Sequence, residues 1–141
     1  MLQAFAFAIA LYAGTDRSAD ARAMWRDLNA VRVSEGLTPL AFEPRLCEIA
    51  RAHAHDMVAR HYFDHKSPDG VGPFDRMARA GWHFGYAGEN LAMDTDERGA
   101  EAHLLSSPEH RQNMLEPHYV HVGIAAVETD SREYFVEVFS D

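Results

Sequence analysis

His65, Glu89 and His110 are placed where chemistry could be done. His65 lies at the start of a turn-rich loop. Glu89 lies in Gly88-Glu89-Asn90, where a glycine permits close approach of the backbone to a neighbour or ligand. His110 stands in Pro108-Glu109-His110-Arg111, at a helix start. Two imidazoles and a carboxylate can hold zinc or another divalent cation with one coordination position left open. The same set could bind a proton or an anion, tuned by the coupling of its pKa values. Long stretches of chain separate the three, so only the fold can bring them together.

The other histidines read more plainly. His53 falls on an apolar helical stripe and is expected in the core. His55 and His61 are expected to face solvent, and His83 and His103 are left open. His118 and His121 flank a strand start, one expected inward and the other outward. His61 and His65 are four apart, but the helical pattern has ended between them, so chelation from one helix face is not expected. No His-Glu-x-x-His zinc motif, Gly-x-Ser-x-Gly elbow or phosphate-cradling glycine loop occurs. Cys47, the single cysteine, excludes a disulfide framework within the chain and reads as a small buried residue. Ser67 and Ser107 neighbour His65 and His110 but read as turn and cap serines. Asp94 to Glu97 reads as a solvated helix start and lacks the alternation of a calcium loop.

The elements that must position these groups follow from periodicity. Ser18 opens a helical pattern with Met24, Leu28 and Val31 on one face, Ser18 and Asp20 as caps, and Gly36 as its stop. Leu37 to Phe42 reads as a short extended link. A second helix runs from Pro44 to about Arg60, with Leu46, Ala50, His53 and Met57 in a stripe and Ile49 beside it. Ser67-Pro68-Asp69-Gly70 marks a turn, and Pro73 to Ala80 reads as a short helix ending at Gly81. Trp82 to Asn90 is predicted to be an irregular loop and Asn90 to Ser106 a helix broken near Gly99. Pro108 opens a further turn through Met114. Tyr119 to Val127 and Tyr134 to Phe139, joined through Asp130-Ser131, read as an antiparallel hairpin. Helices first and strands last give an α+β class, with helices packed on an antiparallel sheet.

Length and charge bound the rest. The 141 residues suffice for one domain with a proper core. The net charge of −9 and the absence of any basic run argue against nucleic acid as a partner. Residues 1–17 are set apart as an apolar N-terminal segment and residues 18–141 as the domain. Met1 to Ala13 is too short to span a bilayer and matches the apolar region of an export signal in length. A fragment of a longer start, or a helix packed on the domain, is the competing reading. No second apolar stretch approaches a membrane span, so no transmembrane anchor is expected.

Several ordered segments resemble a family. Phe63-Asp64-His65-Lys66-Ser67-Pro68-Asp69-Gly70 is followed by Ala87-Gly88-Glu89-Asn90-Leu91-Ala92. Then come Ser107-Pro108-Glu109-His110-Arg111-Gln112-Asn113-Met114-Leu115 and Val122-Gly123-Ile124-Ala125. Together they are similar to the bacterial, SCP-like branch of the CAP superfamily, which joins cysteine-rich secretory proteins, antigen 5 and pathogenesis-related proteins. The resemblance covers about Ala23 to Phe139. It implies a three-layer α-β-α sandwich around a small antiparallel sheet, and a cleft carrying two histidines and two acids. By position, His65 and His110 match the histidines and Glu89 the first acid. The second acid falls near Ser107, where this chain has no carboxylate, and neither Glu101 nor Glu109 aligns there.

Family members are described as lipid or sterol carriers, divalent-metal binders, secreted signalling or virulence factors and, in some descriptions, proteases. The resemblance therefore implies a secreted or envelope-associated binding domain whose His/Glu cleft takes a divalent cation, with His65, Glu89 and His110 as ligands. A metal-dependent hydrolase acting on peptide or cell-wall material, with Glu89 as general base, is one alternative. A lipid or sterol carrier using a groove between helices is the other. Whether the domain is an enzyme stays open. The expected partner is an extracellular ligand, such as a lipid or envelope component, bound by a monomer. The expected location is secreted or periplasmic, with the cytoplasm left open.

Overall fold

The helix expected from Pro44 shows how local sequence sets an element. Glu43 accepts a hydrogen bond from the Arg45 amide at 3.1 Å, Pro44 fills the first turn, and the helix runs Pro44–Arg60 (α2). It stops where His61 takes up a left-handed conformation, φ 57°. Its buried stripe is Leu46, Ile49, Ala50, His53, Ala54 and Met57. The first helix spans Ser18–Ser34 (α1), but Arg17 is its N-cap and no side chain caps it. Arg17 instead ties the helix start to the sheet, its amide donating to the Ala126 carbonyl at 2.9 Å.

A computed structural model describes residues 14–141; the apolar segment of residues 1–13 lies outside the described residues. The remaining elements are Thr15–Asp16 (β1), Ala41–Phe42 (β2), Pro73–Arg79 (α3), Ala87–Asp94 (β3), Glu97–Ser106 (α4), Pro108–Met114 (α5), His121–Glu128 (β4) and Glu133–Ser140 (β5). The sheet order is β1-β4-β5-β3, antiparallel throughout, with β2 joining β4 as a short parallel partner. β1 lies ahead of Ser18 and joins the sheet. Thr15 and Asp16 pair with Glu128 and Val127, and Asp16 also meets His55 and Arg51.

The segment from Trp82 to Ser106 corrects the sequence reading. Ala87–Asp94 is a strand, not the end of a loop and the start of a helix. Its composition contains no β-branched residue, so local propensity points away from a strand. Eight residues in register with β5 override that preference. The helix begins only after Asp96, whose carboxylate accepts from the Gly99 amide at 2.8 Å.

Alternation along the strands splits the core into two layers. Leu91, Val136, Val138, Ala125 and Val127 pack under α2 with Met57 and Met77. Ala92, Phe135, Phe139, Ile124 and Ala126 pack under α1 and α4 with Met24, Leu28 and Leu104. The architecture is thus the α-β-α sandwich around a small antiparallel sheet. At Gly123 a β-carbon would collide with the Leu46–Cys47 backbone, so glycine lets the start of α2 rest directly on β4. Among the described residues no helix is long and apolar enough to cross a membrane.

Candidate functional site

β3 is an edge strand, and this places Glu89 at the rim between the two helical layers. Alternation turns Glu89 toward α2 and α3, and Asn90 toward α4 and α5. The Glu89 side chain is almost wholly buried, 1% exposed, and both its oxygens are engaged. Oε1 accepts from His65 Nδ1 at 2.8 Å. Oε2 accepts from Arg76 Nη2, on α3, also at 2.8 Å. His65 hangs from the loop after α2 and is half exposed. Its bond to Glu89 is the main cause that lifts its pKa above the ordinary imidazole value, with burial opposing. With Nδ1 donating to the carboxylate, the lone pair of the neutral ring lies on Nε2.

His110 enters from the other layer, in the first turn of α5. Asn90 Nδ2 donates to the His110 carbonyl at 3.1 Å, and Asn113 Nδ2 donates to Asn90 Oδ1 at 2.9 Å and to the Glu89 carbonyl at 3.3 Å. These amides stitch α5 to the exposed edge of β3. Gly88 makes the seam possible, because a β-carbon there would run into the Tyr119 hydroxyl and the Asn113 side chain. The His110 ring makes no hydrogen bond among the described residues. Its pKa is lowered, first by burial and then by the neighbouring His65. His110 therefore stays neutral, with one ring nitrogen free of a proton, to lower pH than a free imidazole.

Behind this rim lies a further histidine. His53 is buried on α2, as its stripe position predicts, but it borders the site. Its Nε2 is 3.0 Å from the Asp64 carbonyl, which can only accept, so Nε2 carries the proton. The same nitrogen is 3.9 Å from Glu89 Oε1. Burial lowers the His53 pKa, so at neutral pH this contact is not an ion pair. Tyr62 donates to Asp56 at 2.5 Å and holds its oxygen 3.4 Å from His53 Nδ1.

Of the residues singled out in the sequence, His65 and Glu89 meet directly, and His110 lies close enough to feel the charge of His65. Glu101 does not reach this cleft; it is buried on α4 beside Glu137. Glu109 is exposed. Ser67 is a turn serine, donating to Asp69 at 2.6 Å. Cys47 is buried and its thiol pKa is raised by desolvation. His55 is not solvent-facing but pairs with Asp16 at 2.7 Å. His61 is exposed, His103 pairs with Asp94, and His118 lies outward, stacked on Tyr86, while His121 is half-buried. Sequence reasoning missed Arg76, whose only signal was its place in the short helix after the turn.

The donor set is not that of a closed structural metal site, which takes four protein ligands. Two imidazoles can present unprotonated nitrogens, while Glu89 is already committed to its neighbours. Among the described residues no three His, Cys, Asp or Glu side chains stand together as a ready metal cage. Water would complete any coordination shell. In this arrangement Glu89 orients His65, the outer-shell part that a carboxylate plays behind a metal-binding imidazole.

The comparisons with known proteins bear on the family and the fold. Residues 25–139 match the cysteine-rich secretory protein family, CAP. The uncharacterized protein YkwD of Bacillus subtilis (strain 168) is 41% identical over 105 residues, which is 73% of this chain and 40% of that protein. This chain therefore spans less than half the length of that relative. An extracellular protein containing a SCP domain from Bacillus anthracis str. Ames superposes with a TM-score of 0.79 at 28% identity. The match covers 87% of this chain and 40% of that one. An outer surface protein from Borrelia burgdorferi gives a TM-score of 0.84 at 20% identity, over 91% and 98% of the two chains, which establishes likeness of fold.

Proposed function

We propose, from the premise that this chain belongs to the cysteine-rich secretory protein (CAP) family, that it is an extracellular or envelope-associated binding domain. Its rim cleft takes a divalent cation weakly and exchangeably through His65 Nε2 and His110, with Glu89 orienting His65 from behind. The observation that carries this reading is the 2.8 Å bond from His65 Nδ1 to the buried Glu89, which leaves Nε2 as the free nitrogen. The extracellular setting draws on the Bacillus anthracis relative, which is described as extracellular. A bound cation would supply a Lewis-acidic centre at the rim. The chain's own residues orient His65, keep the His110 ring neutral and shield Glu89 from water.

Calorimetric titration with Zn²⁺ tests the reading. Wild type is expected to bind at micromolar strength or weaker, and the His65→Ala plus His110→Ala variant not at all. Binding that survives loss of both imidazoles would refute it. In a hydrolase reading Glu89 is a poor general base, because a guanidinium and an imidazole N–H already occupy its oxygens.

A carrier reading has one observation in its favour. A groove of about 380 Å³ runs between α2 and α3, floored by Ile49, Ala52, Val71 and Trp82 and edged by Arg45 and Arg79. Solvent extraction of the purified protein followed by mass spectrometry tests it: a stoichiometric apolar ligand supports a carrier, and a clean extract rejects it.

A further inference from the structure

We infer that Glu101 and Glu137 form a pH latch, which seats α4 on the sheet in acid and releases it as the pH rises. The inference goes beyond the cation reading and needs no bound ion. Glu101 lies on the buried face of α4 and Glu137 in the middle of β5, and they are 6% and 0% exposed. Neither oxygen of Glu101 has a hydrogen-bond partner, and Glu137 has a single one, Asn90 Nδ2 at 3.1 Å. No cation balances the pair. From α1, Asp27 adds a further negative charge. Along the sheet Glu137 is flanked by Asn90 on β3 and Ile124 on β4, neither of which titrates. On α4 itself Arg98 is exposed, and His103 is exposed and paired with Asp94. Among the described residues Arg32 of α1 is the only buried arginine or lysine, and its guanidinium is held by the carbonyls of Thr38, Met114 and Glu116.

A neutral carboxyl can stay in so dry a contact, whereas a carboxylate without a partner carries a large desolvation cost there. Burial, then Glu137 and Asp27, pushes Glu101 up to about 8, and burial pushes Glu137 up to about 7. Both values lie above the ordinary 4.5, so the seating is complete below 4.5 and is lost as the pH rises through about 7 and 8. The strain is relieved where the structure is most lightly held. α4 has ten residues, and its buried apolar anchors are Ala100 and Leu104. By contrast α2 buries Leu46, Cys47, Ile49, Ala50, Ala54 and Met57. Local opening of α4 therefore precedes unfolding of the domain. Ser107 ends α4 and is also the N-cap of α5, so α5 is carried along. His110 sits on α5, and its carbonyl is tied to Asn90 Nδ2, the nitrogen that also holds Glu137. Release thus loosens the wall of the cleft that carries His110, while His65 and Glu89 stay fastened to the opposite layer through Arg76.

Hydrogen exchange of the full chain tests the latch, read by mass spectrometry at pH 6 and pH 8.5 and corrected for intrinsic exchange rates. Protection of α4 is expected to fall at least about tenfold more than that of α2 over this interval, because each pH unit beyond a raised pKa costs a factor of ten. In the Glu101→Gln plus Glu137→Gln variant the two helices should change together, to within about threefold. Glu133→Gln is the control. That carboxyl is also raised, to about 7, by burial and by Asp20, but Asp20 belongs to α1. The α4 difference should survive in it. Parallel loss of protection in α4 and α2 of the wild type overturns the latch, and so does a wild-type difference that persists in the double variant. A difference abolished by Glu133→Gln overturns it as well, because the response would then belong to the whole sheet face. Should the double variant fail to fold, Glu101→Gln alone decides: a difference cut by about threefold or more supports the latch, and an unchanged one overturns it.

Discussion

Replacing Glu137 by glutamine should stabilise the protein, and only at neutral to alkaline pH. Glu137 is fully buried in the middle of β5, on the face covered by α1 and α4. One of its oxygens accepts from Asn90 Nδ2 at 3.1 Å and the other has no partner. Glu101, on α4, is 6% exposed and neither of its oxygens has a partner. Burial, then the neighbouring Glu137 and Asp27, pushes Glu101 up to about 8, and burial pushes Glu137 up to about 7. Both folded values lie above the ordinary 4.5, so the folded state holds more protons than the unfolded chain between those limits. The stability contributed by the neutral carboxyls is complete below 4.5 and is lost as pH rises through about 7 and 8. For Glu137 the loss at pH 7 to 8 amounts to about 3 kcal/mol.

Glutamine keeps the acceptor for Asn90, cannot ionise, and puts an amide nitrogen in the place of the partnerless oxygen. Allowing for the cost of burying that amide, Glu137→Gln should gain about 2 kcal/mol at pH 8, roughly 5–8 °C in melting temperature. At pH 5, where both forms are neutral, the gain should vanish. Thermal unfolding followed by circular dichroism at the two pH values measures it. Glu133, raised to about 7 by burial and by Asp20, tilts the wild-type curve the same way, so the difference between variant and wild type is the quantity to read. An equal effect at pH 5 and pH 8, or a loss at pH 8, would refute the reasoning.

Other consequences are open to direct measurement. Gly123→Ala should destabilise by about 3 kcal/mol or more in urea, because its β-carbon meets the α2 backbone rather than a movable side chain; a loss under about 1 kcal/mol would contradict the close approach. Zn²⁺ affinity should weaken on going from pH 8 to pH 6, and the fall should begin above the ordinary imidazole value because Glu89 raises the His65 pKa; equal affinities at the two pH values would count against His65 as a ligand. Thiol labelling of Cys47 should be slow in the native protein and fast in denaturant, since the residue is buried and its pKa raised; fast native labelling would show an accessible thiol. Of two chains, one starting at Gly14 and one at Ser18, the second should melt several degrees lower, because it lacks β1 and the contacts of Asp16 with His55 and Arg51; equal melting would show that β1 contributes nothing.

The sequence by itself determined what repeats locally. The 3.6-residue stripe of Leu46, Ala50, His53 and Met57 defined α2, and the caps Glu43 and Pro44 agree with it. The β-branched and aromatic runs after Tyr119 defined the final hairpin, and the ordered motifs around His65, Glu89 and His110 identified the family. The tertiary structure alone decided what depends on a partner distant in the chain. β3 is a strand because β5 lies beside it, although Leu91, Ala92 and Met93 would serve a helix as well. Glu89 orients His65 because Arg76, 13 positions away, reaches its second oxygen. Glu101 and Glu137 lie far apart in sequence and look like surface residues until α4 settles on β5. A side chain's spacing reports which face of its own element it occupies. Its charge state and chemical role are set by what the opposite layer brings against that face, and no local pattern encodes that.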